Sequence, residues 1–432
     1  METHVFYVPN WLVFSAHIPL TFLDTGRQLF TMLRSVIALL YKPKTLLVVY
    51  AAIALIAAVQ LVLVPPHIFE GKTYTDYNNY IIFRQSFFHL IKGENMYILY
   101  PDEHWDLYKY SPTFALIMGI VAHLPDMMGL CLWNLLNALA LFAAIRMLPF
   151  NVKTQSLLMW FVALELLTSL QNAQSNGLMC GLMIAAYACM EREKVVWAAL
   201  WLVVATFIKV YGAIGFCMLL FYPGKIRFVF YALLWTIILA AMPLAVTPFQ
   251  TLVWQYHNWA TMMAADAAAS WGISVSGWLH TWFGVSTGRT FVTLIGAVLF
   301  LTPLLRYRLY RNEVYRLLML ASMLIWVIIF NHKAESPTYI IAVAGVGIWY
   351  FAMPKAGWRT ALFWLVFIFT SLGTTDIFPP FIKDHFLRPY TVKAFPCIVV
   401  WCVLVVDLLQ LKMDAVLPVL EKRSTNENIA LN

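Results

Sequence analysis

The chain has 432 residues, of which 62% are apolar and only 12% charged, with a formal net charge of +8. So few charges could not cover the surface of a soluble fold of this length, which argues against soluble-enzyme classes and indicates a polytopic membrane protein. The positive balance then reads as basic loops held on the cytoplasmic side rather than as a nucleic-acid footprint.

In chain order, residues 1–44 are expected to form a cytoplasmic N-terminal segment. Thr45–Val64 is the first apolar run long enough for a hydrocarbon core about 30 Å thick. The loop Pro65–Ser111 carries six acids against four Lys and Arg, as expected of an extracytoplasmic segment. Within it Tyr77–Lys92 has the spacing of an amphipathic, interfacial helix, with Asp76 as its N-cap and Gly93 as its stop. Ser111–Leu148 opens with a short part that breaks at Pro125, which suggests a partial or re-entrant helix. Further apolar runs follow at Ser156–Leu170, Gly177–Met190, Val195–Ile208, Gly212–Tyr222 and Phe228–Thr247. After a long loop, Pro248–Arg289, come Thr290–Leu305, Val314–Phe330, Thr338–Met353, Thr360–Leu372 and Phe395–Leu411. The expectation is one all-α membrane domain over residues 1–432 with about twelve transmembrane helices. A cytoplasmic tail covers residues 412–432. The six cysteines lie in or beside apolar runs and read as packing residues, with no disulfide framework or metal spacing.

An inside N-terminus puts most of the 29 Lys and Arg on the cytoplasmic face. The same alternation gathers the uncharged polar clusters and the isolated charges on the outer face. Asp76 is a helix cap or a general base; the two roles are compatible, because a helix N-terminus keeps a carboxylate ionised. In "LYKYSP", Tyr108 and Tyr110 read as interfacial anchors and Lys109 as a snorkelling cation or a phosphate contact. "QNAQSN" sets Gln171, Asn172, Gln174 and Asn176 in one turn. Such amides serve either the turn itself or the hydroxyls of a carbohydrate, and at membrane depth they need partners. Lys209 follows fourteen mostly apolar residues and either snorkels or faces a cavity. Glu165 is a similar intramembrane charge with no assigned role. "NHKAESP" is the densest cluster, where His332 and Lys333 together suit a phosphate and Glu335 could orient one of them.

The acid after the first membrane helix, then "GENMY", "YKYSP", "QNAQSN", a lysine–tyrosine pair and a late histidine loop resemble glycosyltransferase family 87 in order and layout. The resemblance covers roughly Thr45 to Met353. It implies a GT-C fold, a polyprenyl-phosphate sugar donor and inversion at an extracytoplasmic site of a bacterial plasma (inner) membrane. It further implies a mannosyltransferase-like activity toward a lipid or glycan acceptor. By position it assigns the catalytic base to Asp76 and a donor-phosphate contact to His332, beside Lys333 and Lys209. The substrate-binding set is then Lys109, Tyr110, Gln171, Asn172, Gln174, Asn176 and Glu335. No metal or other cofactor is expected, since a monophosphate leaving group needs less assistance than a nucleotide diphosphate. Two other readings are a flippase for a lipid-linked solute and a glycan polymerase or ligase. Against the first stands the lack of an internal repeat.

Overall fold

The computed structural model describes residues 38–266, 270–286 and 288–417. Most of the expected N-terminal segment 1–44 and of the tail 412–432 lies outside them. The described chain is helical apart from one two-stranded antiparallel hairpin, His67–Phe69 (β1) with Lys72–Tyr74 (β2), that sequence periodicity did not reveal.

The long apolar helices run Pro43–Leu63 (α1), Asp126–Arg146 (α4) and Lys225–Ala241 (α8), the last continued by a 3₁₀ turn to Ala245. By length and composition these are the three among the described residues able to cross a membrane by themselves. Between them lie Asn78–Lys92 (α2), Pro112–Ala122 (α3), Val152–Leu170 (α5), Asn176–Glu191 (α6) and Val195–Ile208 (α7). After α8 follow Phe249–Asp266 (α9), Val275–Phe283 (α10), Arg289–Leu301 (α11), Glu313–Ile329 (α12), Tyr339–Ala352 (α13), Gly357–Leu365 (α14) and Phe395–Gln410 (α15).

Local chemistry sets these boundaries. Ser111 Oγ accepts the Phe114 N–H at 3.2 Å and Pro112 occupies the first turn, so α3 starts there. Asn151 caps α5 through the Thr154 N–H (2.8 Å), and Asn312 caps α12 through the Tyr315 N–H (3.0 Å). Gly93 ends α2 in the left-handed conformation, φ 72°. Pro125 separates α3 from α4, as the break in the apolar pattern suggested. The run after Lys209 is a 3₁₀ helix, Val210–Phe221, whose rise of about 2 Å per residue lets twelve residues reach as far as a longer α-helix.

Two expectations change. Asp76 does not cap α2: Tyr77 occupies the cap position without a side-chain hydrogen bond, and the Asp76 carboxylate turns to His67. The segment Pro248–Arg289 is not a plain loop, since α9 and α10 make up much of it.

The core centres on α12 and α13, whose side chains are buried almost all round. A helix apolar on every face fits that interior position. By contrast, α8 exposes Val229, Phe230, Leu233 and Ile237, a face suited to lipid. The chain enters α6 at Asn176 and leaves it at Glu191, returns through α7 to Lys209, and later retraces the path along α12 to Asn331. These elements therefore define two ends. One collects the Gln171–Asn176 turn, Lys209 and the Asn331–Pro337 loop, and the other collects Glu191, Lys225 and Arg316.

Candidate active site

At the first of these ends a cavity of about 420 Å³ opens among side chains from distant parts of the chain. Asn79 and Phe83 of α2 form one wall, and Asp106, Lys109 and Tyr110 come from the stretch that leads back into the bundle. Gln174, Lys209, His332, Lys333 and Glu335 add further polar groups to the lining.

A continuous hydrogen-bond chain ties four of the sequence-selected residues together. Lys209 Nζ donates to Asn176 Oδ1 at 2.8 Å, Asn176 Nδ2 to Gln174 Oε1 at 2.6 Å, and Gln174 Nε2 to Glu335 Oε2 at 2.7 Å. Asn176 is wholly buried, so its amide needs these partners. The Lys209 ammonium also lies 5.8 Å from the ring centroids of both Tyr110 and Tyr211. Lys209 sits in the turn between α7 and the 3₁₀ helix, half-buried as a residue with its charged end enclosed. That burial pushes its pKa down to about 8, against the raising influence of Glu335 and with a further lowering from Lys109.

Around this chain the walls are fixed. Lys109 pairs with Asp106 at 3.2 Å. Tyr110 stacks on Phe114, centroids 4.9 Å apart, and meets Phe83 edge-on at 4.8 Å. Tyr108 is 1% exposed and donates its hydroxyl to the Ser111 carbonyl at 2.7 Å, so it packs in the core and is not an interfacial anchor. The histidine loop is held from behind: Ile273 N–H donates to the Ala334 carbonyl, and Tyr339 donates its hydroxyl to the Ile273 carbonyl, each at 2.8 Å. Gly272, φ +58°, lets the two backbones meet, because a Cβ there would come within 2.4 Å of the His332 carbonyl oxygen.

Four of the sequence-selected residues stand apart from the cavity lining: Asn176, buried behind it in the hydrogen-bond chain, and Asp76, Gln171 and Asn172. Asp76 is exposed and lies 3.2 Å from His67 Nδ1, three residues ahead of Asn79. Gln171 donates to Gln60 Oε1 (2.8 Å) and Asn172 to the Thr168 carbonyl (2.8 Å). Both of these line a neighbouring cavity of about 700 Å³ with Ser336, Asp376 and Arg388. In compensation the cavity recruits Asp106, Asn79 and Asn331, which sequence reasoning had not selected. For Asp106 the available signal was an acid three residues before Lys109; for Asn79 it was its place in the first turn of α2, three residues after Asp76.

Chemically, the ammonium groups of Lys109, Lys209 and Lys333 can offset the charge of a phosphate, while the amides and the carboxylates of Asp106 and Glu335 can hydrogen-bond sugar hydroxyls. The arrangement defines a helical membrane-type protein with a polar, cation-bearing cavity at one end. A family model described as Glycosyltransferase family 87 matches residues 108–330, more than half of the chain, which therefore belongs to glycosyltransferase family 87. A glycosyltransferase requires a sugar donor and an acceptor. The match takes in Lys109, Tyr110, the Gln171–Asn176 turn and Lys209, while Asp76 and the His332–Glu335 segment flank it. No curated protein sequence matches the chain.

Proposed function

We propose that this chain is an inverting transferase that moves a hexose such as mannose from a polyprenyl-phosphate donor to a lipid or glycan acceptor on the extracytoplasmic face. It would span the membrane about twelve times in a GT-C fold, with both termini cytoplasmic. The observation that carries the reading is the gathering of Lys109, Lys209, His332 and Lys333 with Gln174 and Glu335 around one cavity at the end of the apolar bundle. A lipid-linked sugar phosphate is apolar at one end and anionic at the other, so its transfer site belongs at such an end. As the polyprenyl phosphate departs it gains negative charge, which the cations offset. The acceptor hydroxyl loses its proton to a carboxylate within hydrogen-bond reach. The family layout assigns that base to Asp76, with His67 orienting it from β1. A second reading assigns it to Asp106, favoured by the fact that Asp106 lines the cavity and Asp76 does not. No metal or other cofactor takes part in this scheme.

The test is incubation of the purified protein with a panel of polyprenyl-phosphate sugars and a membrane-lipid extract as source of acceptor hydroxyls, scoring release of polyprenyl phosphate for the parent and for Asp76→Asn. Sugar-dependent release that Asp76→Asn reduces by a factor of ~10² or more supports the scheme with Asp76 as base. Release from none of the donors would remove it.

A further inference from the structure

The opposite end of the bundle holds a second polar cavity, larger than the first at about 1220 Å³. Its separation from the candidate active site follows from helix length. Helix α6 spans 16 residues from Asn176, bonded to Lys209 at the first site, to Glu191 in the wall of the second. Helix α12 spans 17 residues from Glu313, three positions before the wall residue Arg316, to the threshold of Asn331. At 1.5 Å per residue each covers about 25 Å, close to the thickness of a hydrocarbon core. The two cavities therefore face opposite sides of the membrane that this bundle would occupy.

Five cations line the second cavity: Lys225 and Arg227 from the start of α8, Arg308 and Arg311 from the turns before α12, and Arg316 from α12 itself. Among the described residues, Arg316 alone of these five has a carboxylate partner. Its guanidinium grips Glu191 at 2.6 Å through both Nε and Nη2, and Tyr222 donates its hydroxyl to the same carboxylate at 2.5 Å. That pair gives the wall a fixed frame. Among the described residues no carboxylate lies within salt-bridge distance of Lys225, Arg227, Arg308 or Arg311. Glu193 is the one other acid in the lining. Positive groups that share a cavity repel one another, and near a low-dielectric bundle that repulsion is weakly screened. An anion among them converts the repulsion into attraction. Helix α8 also begins here after Gly224 without a side-chain cap, so its first N–H groups point the same way.

We propose that this cavity binds the phosphate of an anionic membrane lipid headgroup, at the end of the protein opposite the candidate active site. Lys225, Arg227, Arg308 and Arg311 would surround the phosphate, and the acyl chains would run along α8. The apolar face of α8 favours a lipid over a soluble ester. Ile226, between Lys225 and Arg227, is 88% exposed, and Val229 and Phe230 continue that face away from the cavity. One molecule would thus meet cations at its head and apolar side chains along its tail. The inference is independent of which sugar or acceptor the first cavity takes.

The experiment uses the full chain purified in a neutral detergent. Thermal unfolding is followed while dioleoylphosphatidylglycerol, dioleoylphosphatidylcholine or inorganic phosphate is titrated. Phosphatidylglycerol should raise the midpoint of the parent and phosphatidylcholine should not. Arg308→Gln/Arg311→Gln should need about tenfold more phosphatidylglycerol for the same shift, as two interfacial cations at about 1 kcal/mol each can supply. Lys42→Gln, immediately before α1 at the same end and outside the cavity, should respond like the parent. If the paired substitution prevents folding, Lys225→Gln and Arg311→Gln singly serve the same purpose with a smaller shift. Inorganic phosphate that reproduces the shift and competes with the lipid supports the phosphate site but assigns it to a soluble ester. The proposal is overturned if neither probe acts on the parent, if the cavity variants respond like the parent, or if Lys42→Gln loses as much as they do.

Discussion

The Lys209 ammonium donates to Asn176 Oδ1 at 2.8 Å, and through Gln174 that bond reaches Glu335, so the ends of α6, α7 and α12 meet in one hydrogen-bonded line. A buried charge is tolerated where it faces a partner or a cavity, and Lys209 does both. Lys209→Met keeps an unbranched side chain one atom shorter and removes the charge. It should raise KM for a polyprenyl-phosphate donor by about tenfold or more, the scale of one charge-assisted hydrogen bond, with a smaller effect on acceptor KM. Equal effects on both substrates would place Lys209 outside donor binding.

The same lysine should set a pH limit. Burial holds its pKa down near 8 from the ordinary 10.5, so the free enzyme loses this positive charge as pH rises through about 8. Donor kcat/KM should therefore fall above pH 8, approaching tenfold per unit if the charge is essential, and the fall should vanish in Lys209→Met. Stability should move the other way. Between about pH 8 and 10.5 the unfolded chain holds a proton on this lysine that the folded chain does not, so the burial penalty this group places on the fold at lower pH is relieved as pH rises through that window. A pH profile of donor kcat/KM beside thermal melting over pH 7 to 10 separates the two trends.

Asp76 and Asp106 can be told apart by exchanging each for its amide. With Asp76 as base, Asp76→Asn should lower kcat by ~10² or more while donor binding is kept. Asp106→Asn would then act mainly through Lys109, its partner at 3.2 Å, and so on KM. The reverse pattern would transfer the base to Asp106. His67→Ala is a further check: it removes the group 3.2 Å from the Asp76 carboxylate, together with a ring contact to Trp105, and leaves the carboxylate itself in place, so it should lower kcat less than Asp76→Asn does.

The helical layout, the turn at Gln171–Asn176 and the histidine loop were legible in the sequence because each rests on a local signal: apolar run length, Pro125, or polar residues between apolar runs. The shared cavity was legible only as a common face, through the alternation of loops. What could not be read was side-chain direction within one turn. Gln174 turns toward Glu335 and Asn176 toward Lys209, whereas Gln171 and Asn172 turn to Gln60 and Thr168, although all four are amides within six residues. Long-range pairing was equally hidden. Glu165 had no visible partner in the sequence because its cation lies 228 residues away, at Lys393.

That pair makes a stability prediction. Glu165 is fully buried in α5, Lys393 is nearly so, and Lys393 Nζ lies 2.8 and 3.1 Å from the two carboxylate oxygens. Glu165→Leu leaves a lysine buried without its counter-charge and should cost about 3–5 kcal/mol, whereas Glu165→Leu/Lys393→Met should recover most of that. Thermal unfolding of both variants in detergent checks it; a single variant that melts with the parent would mean the lysine escapes to water.

Gly272 offers the sharpest test of how the histidine loop is positioned. Its φ of +58° disfavours any side chain, by about 1–2 kcal/mol. Its missing Cβ also leaves room for the His332 carbonyl oxygen, which would otherwise be met at 2.4 Å. Gly284 separates these two effects, since it has a similar φ of +67° with nothing within 4 Å of the Cβ position. Gly284→Ala should lower the melting temperature slightly and leave donor KM alone. Gly272→Ala carries the same backbone strain and must in addition push the His332–Ala334 backbone away from Ile273, moving His332 and Lys333 together at the cavity wall. Donor KM should rise in Gly272→Ala by more than the shared loss of stability explains. Matching kinetics in the two variants would show that the loop finds its position without this contact.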